Sequence, residues 1–361
     1  MCILLFLNIN IGIFMKTILI TGSDGFIGSH LTDFCLMKGF RVIALKKPTR
    51  NVINLIRYTD GKRDFTIEEL SEFKLKKIRI PTNNKNLLIL ECDIKNADLI
   101  EVLVEEFRPK MIFHFAAQPL VIPSWEDPID TIRTNVIGTI NVFEPIKKHK
   151  LNIKVILACS SAEYGTTTDL DRALKETDLL SAIHPYGISK IAAELLARQY
   201  FINYGIEVIN LRFFNQTGPR KENDVVSDFV IKVAKIDSGI AEPIINVGNI
   251  NTYRDITGIK DTIQATWLAA TRGTPGETYN VCSGRKIYIR EILEKILKFS
   301  NNEIKIKEDT EEKLRKTDEK IILGDNSKIK KELGFKISQS IDELLRETYE
   351  YWIEYFSSDT C

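Results

Sequence analysis

Lys16-Thr-Ile-Leu-Ile-Thr-Gly-Ser-Asp-Gly-Phe-Ile-Gly-Ser-His-Leu31 is the stretch of sequence that decides the fold. Its apolar, β-branched beginning predicts a strand, and the residues after the last glycine take helical periodicity. Gly22 permits a tight turn, Gly25 lets a pyrophosphate approach the backbone, and Gly28 lets the helix pack closely on the strand. The stretch therefore predicts a strand, a turn and a helix whose N-terminus binds the phosphates of a dinucleotide.

Strand and helix patterns alternate from this stretch to about residue 214. Such alternation predicts an α/β fold with a doubly wound parallel sheet of the Rossmann type over residues 15–214. The pattern over residues 215–361 is less regular and predicts a smaller α/β substrate-binding domain, with some segments returning to the first domain. Because ligands bind beyond the carboxyl ends of parallel strands, we expect the site in the cleft between the two parts.

Three segments carry more specific expectations. Residues 128–148 are predicted to form one long helix, in which Gly138 marks a point of tight packing because glycine is costly inside a helix. Residues 51–86 are predicted to be an irregular insertion rich in Lys and Arg. Trp125, Trp267 and Trp352 are expected to pack rather than to bind ligands.

Composition narrows the class of protein. The chain is 44% hydrophobic and 27% charged with a net charge of +1, which offers no general attraction to nucleic acid or to a membrane. Its 6 cysteines include no Cys-x-x-Cys pair and it has only 4 histidines, so neither a metal site nor a disulfide framework is predicted. We expect a cytoplasmic protein. Residues 1–14 are apolar but lack a basic leader, and we interpret them as a dispensable extension ahead of Met15.

The end of the predicted second strand carries information about the cofactor. A dinucleotide fold usually has an acidic residue there for the adenosine ribose, whereas this chain has Lys46-Lys47-Pro48-Thr49-Arg50. Cations suit a 2′-phosphate, so we expect NADP(H) to be preferred and NAD(H) to be the alternative. A solvated basic loop would give the same pattern.

The chemistry is predicted at Tyr186-Gly-Ile-Ser-Lys190, which opens a helix. Because residues four apart share a helical face, the phenol and the ammonium are expected to point the same way. A nearby Lys190 is expected to lower the pKa of Tyr186, which would make it a general acid or base. Ser160, at the end of another strand, would supply a hydroxyl to the same substrate oxygen.

Together these motifs resemble those of the extended short-chain dehydrogenase/reductase family over residues 16 to about 345. They comprise Thr21 to Gly28, Cys92-Asp93-Ile94, His114-Phe-Ala-Ala-Gln118, Asn135, Ser160 and Tyr186-x-x-x-Lys190. Further segments are similar to those of the branch that acts on GDP-6-deoxyhexoses, which contains both 4,6-dehydratases and 4-keto reductases. They are Gln118 to Pro128, Asn210 to Pro219, Val225 to Phe229, Val247 to Asn249, Arg254-Asp255 and Tyr279 to Gly284.

The resemblance implies roles for individual residues. Catalysis would fall to Ser160, Tyr186 and Lys190, with Tyr186 exchanging a proton with the oxygen on sugar carbon 4. The nicotinamide cofactor would contact Gly22, Gly25, Phe26, Ile27, Gly28, Lys46, Asp93, Ile94, Ala116, Ala117, Tyr186 and Lys190. A GDP-sugar would contact Asn215, Val226, Arg254 and Arg315; the alternative for Arg254 is a surface salt bridge to Asp255 or another acid. The resemblance also implies a homodimer through the helices that contain Asn135 and Tyr186.

The reaction type depends on one position. The family's dehydratases carry a glutamate two residues after the active-site Ser or Thr, and this chain has Ala162 there, followed by Glu163. Adjacent residues on an extended segment face opposite sides, so Glu163 is not expected to replace it. We therefore expect a reductase of a GDP-4-keto-6-deoxyhexose, with a GDP-mannose 4,6-dehydratase as the alternative. A nucleotide-sugar 4-epimerase and a non-enzymatic nucleotide sensor remain further alternatives.

Overall fold

The computed structural model describes residues 16–48, 54–59, 66–70, 75–166, 169, 172–308 and 322–358. The predicted extension at 1–14, the cation Arg50 and the proposed ligand Arg315 lie outside these residues. None of the described helices is long and apolar enough to cross a membrane.

The described strands form one large sheet and two small ones. In chain order they are β1 (Thr17–Thr21), β2 (Arg41–Lys46), β3 (Thr66–Leu70), β4 (Leu75–Ile80), β5 (Leu87–Glu91), β6 (Met111–His114), β7 (Lys154–Ser160), β8 (Val208–Phe213), β9 (Asn215–Thr217), β10 (Ile244–Val247), β11 (Tyr253–Gly258), β12 (Thr278–Val281), β13 (Lys286–Tyr288) and β14 (Lys305–Glu308). The large sheet has the order β12-β8-β7-β6-β1-β2-β5-β4-β3, and its strands from β12 to β5 are parallel. The chain reverses its winding direction between β1 and β6, which places a topological switch point there.

Helices cover both faces of this sheet. They are α1 (Phe26–Met37), α2 (Ala97–Phe107), α3 (Val121–Glu126), α4 (Pro128–Ile132), α5 (Gly138–Lys148), α6 (Pro185–Tyr204), α7 (Val225–Asp237), α8 (Ile259–Arg272), α9 (Ile289–Leu297), α10 (Ser327–Leu333) and α11 (Ile341–Ser358). One apolar core joins the sheet to α1, α8 and α10, and a second joins it to α2, α5 and α6. This arrangement confirms the predicted doubly wound fold.

The insertion at 51–86 is more regular than predicted. Strands β3 and β4 form an antiparallel hairpin, and β4 pairs with β5, so the hairpin extends the edge of the parallel sheet. The adjacent charged pairs Glu68-Glu69 and Lys76-Lys77 break the apolar–polar alternation that would reveal strands, which is why the sequence pattern suggested an irregular segment.

The long helix predicted at 128–148 is interrupted. Residues Arg133–Ile137 form a π-helical turn between α4 and α5. A Cβ atom on Gly138 would lie 2.6 Å from the Cδ1 atom of Ile94, which confirms tight packing at this glycine. An inserted π turn rotates the side chains that precede it relative to those that follow, and it places Asn135 toward α6.

The chain after residue 214 builds a second core and then returns to the first. Helices α7, α9 and α11 enclose this core with β10 and β11. Strands β9, β11 and β13 form one small sheet, and β10 and β14 form the other. Strand β12 joins the edge of the large sheet and α8 packs on α1, as expected for segments that return to the first part of the chain.

Candidate functional site

The glycine-rich turn has the geometry that its spacing predicted. Gly22 adopts a φ of 67°, and a Cβ there would lie 2.7 Å from the backbone nitrogen of Ala116. A Cβ on Gly28 would lie 2.2 Å from the carbonyl oxygen of Gly22. Gly25 caps α1 and has no side chain to cover the first-turn amides. The turn therefore brings β1, β6 and the N-terminus of α1 together, as a phosphate-binding turn requires.

A buried chain of hydrogen bonds supports the turn from behind. The Thr21 hydroxyl oxygen accepts from the backbone N–H groups of Phe115 and Ala116, each at 3.1 Å. Its proton is then donated to Nδ1 of His114, 2.8 Å away, and His114 Nε2 lies 3.1 Å from the Thr139 hydroxyl. Burial lowers the pKa of His114 to about 3, so the imidazole is neutral and serves as a structural link.

The π turn connects this chain to the helix that carries the predicted catalytic pair. Thr139 donates to the carbonyl oxygen of Asn135 at 2.6 Å. The Asn135 amide donates to the Ser189 hydroxyl at 2.9 Å, and that hydroxyl donates to the carbonyl oxygen of Tyr186 at 2.6 Å. The Asn135 side chain also accepts from the backbone N–H of Gln118 and donates to the carbonyl oxygen of Gln118. The first turn of α6 is thus fixed relative to the ends of β1 and β6.

Ser160, Tyr186 and Lys190 lie where the end of β7 meets the first turns of α6. The Ser160 side chain lies beside the phenol of Tyr186, close enough to affect its pKa. The Lys190 ammonium donates to the carbonyl oxygen of Ala158 at 2.9 Å, and burial lowers its pKa. The expected lowering of the Tyr186 pKa by Lys190 is not found. Burial instead raises the pKa of Tyr186 to about 12, with the Ser160 hydrogen bond opposing this rise and the Glu163 charge adding to it.

Two residues that sequence reasoning missed hold the start of α6. The His184 Nδ1 atom caps the helix by accepting from the backbone N–H of Gly187 at 3.0 Å, and its ring stacks parallel to that of Tyr186. A Cβ on Gly187 would lie 2.6 Å from the carbonyl oxygen of Ala162. The only signals in the sequence were the histidine directly before Pro185 and the glycine after Tyr186.

Glu163 is turned away from the substrate side, although not for the predicted reason. Residues Ser161–Tyr164 form a 3₁₀ turn rather than an extended segment. The Glu163 carboxylate is fully buried and accepts from the backbone N–H of Ser160 at 2.8 Å. Its other oxygen lies 3.4 Å from Nε of Arg212 on β8. The position two residues after Ser160 is Ala162, which has no acid or base to offer.

Lys46 does not occupy the position that the sequence suggested. Its ammonium is buried and ion-paired with Glu91 at 2.8 Å, and it also donates to the carbonyl oxygen of Lys47. Parallel pairing of β2 with β5 places Lys46 and Glu91 side by side. Because its ammonium is buried and paired with Glu91, Lys46 is a poor ligand for a cofactor phosphate. The next residue, Lys47, is exposed.

Of the remaining residues predicted to contact the cofactor, four are half-buried and one lies in the core. Phe26 and Ile27 lie half-buried in the first turn of α1, and Ala117 lies half-buried beyond β6. Asp93 is half-buried and accepts from the backbone N–H of Lys95 at 2.9 Å. Ile94 is in the core, where its side chain packs against Gly138, so only its main chain remains for an adenine contact.

The predicted substrate residues are only partly brought together. Asn215 on β9 donates to the carbonyl oxygen of Asp255 on β11 at 3.2 Å. Val226 is buried in the second core, which removes its side chain from any ligand. Arg254 is half-buried and donates to the carbonyl oxygen of Tyr253 at 2.8 Å. Arg315 lies outside the described residues.

Asp255 is not the salt-bridge partner of Arg254, because its carboxylate is held by other groups. The Asp255 carboxylate is fully buried and accepts from the backbone N–H groups of Ser283, Gly284 and Gly324 at 2.7, 3.0 and 3.1 Å. It also accepts from the Ser283 hydroxyl at 2.6 Å. Asp255 therefore ties β11 to two loops, and neighbouring Arg254 is directed elsewhere.

The loop after β9 contacts α1, and no sequence pattern predicted this contact. The Arg220 guanidinium lies 2.9 Å from the Asp33 carboxylate and 3.3 Å from the Ser29 hydroxyl. The His30 Nε2 atom lies 2.9 Å from the carbonyl oxygen of Pro219, and burial lowers the pKa of His30 to about 4. Arg220 adopts a φ of 69°, an uncommon conformation for a residue other than glycine. These contacts fix the second core relative to the phosphate-binding turn.

Comparison with known families agrees with this site. The family model described as GDP-mannose 4,6 dehydratase matches residues 19–348, nearly the whole described chain. The chain belongs to the GDP-mannose 4,6-dehydratase family. Membership confirms the resemblance to extended short-chain dehydrogenases/reductases, and it leaves open which reaction of the family this member performs.

Relatives within and around the family differ in reaction. The GDP-6-deoxy-D-mannose reductase of Pseudomonas aeruginosa is 28% identical over 245 residues, which are 68% of this chain and 80% of the relative. The GDP-mannose 4,6-dehydratase of Yersinia enterocolitica is 26% identical over 293 residues, 80% of this chain and 73% of the relative. Nucleotide-sugar 4-epimerases also match.

A solved structure supports the fold. The structure of RMD from Pseudomonas aeruginosa complexed with NADPH superposes with a TM-score of 0.76 at 24% identity, covering 94% of this chain and 100% of that chain.

Proposed function

We propose that this member of the GDP-mannose 4,6-dehydratase family reduces the carbon-4 ketone of a GDP-4-keto-6-deoxyhexose with a nicotinamide cofactor. One observation carries the proposal. Ser160 lies beside Tyr186, and Lys190 hydrogen-bonds the same strand end, so these residues would supply the proton; Ala162 stands where a dehydratase has its extra acid, and Glu163 is turned into the core. Reduction of a ketone needs only hydride delivery and one proton.

Tyr186 carries the proton that reduction of the ketone requires. Because its pKa is raised to about 12, the phenol keeps its proton at neutral pH. It can then donate that proton to the oxygen on carbon 4, while the Ser160 hydroxyl donates a hydrogen bond to the same oxygen. The cofactor supplies the hydride when bound. Lys190 would hold the nicotinamide ribose, and the amides at the start of α1 would hold the pyrophosphate.

The cofactor preference that we propose is NADP(H), with NAD(H) as the alternative. The argument now depends on Lys47, which is exposed at the end of β2, because Lys46 is paired with Glu91. Lys47→Ala should raise the KM for NADPH while leaving the KM for NADH nearly unchanged. Equal changes for both cofactors would remove Lys47 from the 2′-phosphate site.

The dehydratase reaction is the second candidate, because the family model and one curated relative carry that name. The two reactions separate in parallel assays of the purified protein, one with GDP-4-keto-6-deoxy-mannose and NADPH, the other with GDP-mannose and NADP⁺. Consumption of NADPH that requires the keto-sugar supports the reductase. Conversion of GDP-mannose to the keto-sugar would refute our assignment, and interconversion of carbon-4 epimers without added reductant would indicate an epimerase.

Tyr186→Phe tests the acid. The change removes the proton donor but keeps the ring, so we expect kcat to fall about a hundredfold or more while the Kd of NADPH stays within about twofold. The Kd is measured by quenching of protein fluorescence. Turnover near the wild-type rate would contradict the assignment of Tyr186, whichever sugar is the substrate.

We also propose a cytoplasmic homodimer. The four free, buried thiols of the described chain fit a reducing compartment. Large apolar side chains are exposed on the adjoining helices α3, α4 and α6: Trp125 by 54%, Ile129 by 64%, Ile188 by 49% and Leu195 by 53%. Trp267 and Trp352 pack in the cores, whereas Trp125 lies on this exposed surface. Such a surface suits a partner helix pair.

Light scattering tests the dimer. The wild-type protein should have twice the chain mass at micromolar concentration, and Leu195→Glu should give the monomer mass. Met37→Glu, at an exposed site on α1, is the matched control and should leave the mass unchanged. Monomer mass for the wild-type protein would refute the proposal.

A further inference from the structure

Glu163 and Ser160 cap the same 3₁₀ turn reciprocally. The Glu163 carboxylate accepts from the Ser160 backbone N–H at 2.8 Å, and the Ser160 hydroxyl oxygen accepts from the Ala162 backbone N–H at 3.2 Å. The hydroxyl uses one lone pair in this contact, so its single proton remains for a partner on the other side. Tyr186, which lies beside the Ser160 side chain, or the substrate oxygen could accept that proton. Glu163 thus acts on the active site through the orientation of Ser160.

The second oxygen of Glu163 lies in an acidic, buried environment. Oε2 is inaccessible to solvent and has no hydrogen-bond partner among the described residues, although Nε of Arg212 lies 3.4 Å away. The Arg212 guanidinium is committed to Glu194, with contacts of 2.9 and 2.5 Å. The Cys159 thiol and the Glu194 carboxylate both lie within 4.8 Å of the Glu163 carboxylate. The charged and titratable groups that face it are Cys159, Tyr186, Lys190, Glu194 and Arg212.

Two carboxylates therefore share one guanidinium inside the core. Burial, and next the Glu194 charge, raise the pKa of Glu163 well above its usual range. Arg212 lowers the pKa of Glu194 against the effect of burial. A proton on Oε2 of Glu163 would convert an oxygen without a donor into a donor toward the Glu194 carboxylate, which satisfies both groups.

We propose that Glu163 is a positioning residue which, in its neutral acid form, orients the Ser160 hydroxyl toward Tyr186 while donating its own proton to Glu194. This inference rests on the proposed function in one respect, because its kinetic test measures reduction of the keto-sugar. The proposal also explains why Glu163 does not replace the dehydratase acid that is missing at Ala162, because the Glu163 proton is held on the core side of β7. An ionised Glu163 would oppose the function, because its charge makes Tyr186 a weaker acid.

Substitutions separate positioning from proton transfer. Glu163→Gln keeps the acceptor for the Ser160 N–H and a donor for Glu194, so turnover should stay within about threefold of wild type and the pH profile of kcat/KM should not move. Glu163→Leu removes both contacts and should lower kcat about ten- to hundredfold, with the Kd of NADPH unchanged. Glu207→Gln, at a half-exposed ion pair with Lys154, is the control. Thermal unfolding of each variant shows that it is folded.

Difference infrared spectroscopy tests the proton without any substrate. The wild-type spectrum minus that of Glu163→Gln at pH 7 should contain the carbonyl stretch of a protonated carboxylic acid, and the wild-type spectrum minus that of Glu207→Gln should not. A carboxylate band in its place would overturn the proposal. So would a folded Glu163→Gln without turnover, or a Glu163→Leu as active as wild type. If the wild-type protein does not reduce the keto-sugar, the proposed function fails, but the infrared result still decides the state of Glu163.

Discussion

Acidification should destabilise the fold through His114. In the folded chain this imidazole is buried between Thr21 and Thr139, and its pKa is lowered from 6.5 to about 3. Below about pH 6.5, His114 therefore binds a proton in the unfolded chain but stays neutral in the folded chain until the pH approaches 3. The stability that the neutral imidazole contributes is fully present above pH 6.5 and is lost as the pH falls toward the folded pKa.

The magnitude follows from proton linkage. Between pH 7 and pH 4.5 a shift of this size costs about 2.5 kcal/mol, with a slope approaching about 1.4 kcal/mol per pH unit. Urea unfolding of the wild-type protein and of His114→Gln, followed by circular dichroism at several pH values, isolates the contribution. Glutamine does not titrate, and the effects of carboxylates and of His30 are common to both proteins.

The free energies of unfolding of the two proteins should therefore converge as the pH falls. Curves that stay parallel to within about 0.5 kcal/mol from pH 7 to pH 4.5 would refute the reasoning, because they would show that the buried imidazole is protonated as easily as an exposed one.

Two glycine substitutions test the packing of the nucleotide-binding part. Gly28→Ala drives a Cβ into the Gly22 carbonyl oxygen, 2.2 Å away, so the Kd of NADPH should rise about tenfold or more; Gly39→Ala, which has a φ of 79° and no neighbour within 4 Å, should cost about 1 kcal/mol of stability with the Kd unchanged. Gly138→Ala should lower the free energy of unfolding by about 1–3 kcal/mol, measured in urea, and Ile94→Val should restore part of it by removing the clashing Cδ1 atom.

Local patterns predicted those features whose cause is local. The glycine spacing implied a left-handed Gly22 and a close Gly28, and both are found because the constraint lies within one strand, turn and helix. The tight packing at Gly138 could likewise be inferred from the cost of glycine in a helix. Its partner, Ile94, could not, because the contact joins segments from different layers of the fold.

Lys46 shows where such reasoning stops. A lysine at the end of β2 has the right charge for a 2′-phosphate, but its neighbour across the sheet is Glu91, 45 residues later in the chain. Only the register of β2 against β5 reveals that the two side chains meet. Charge at a strand end therefore predicts a ligand only once the adjacent strand is known.

Glu163 makes the same point about the reaction. The absence of an acid at Ala162 can be read from the sequence. The role of the Glu163 carboxyl group cannot, because it depends on Arg212 and Glu194, which lie in distant segments of the chain. In the folded chain Arg212 is committed to Glu194, and Glu163 bonds the Ser160 backbone. A carboxyl group one residue from an active-site position is thus drawn into the core by its partners. These partners leave its first oxygen on the Ser160 backbone and its second oxygen beside Arg212 and Glu194.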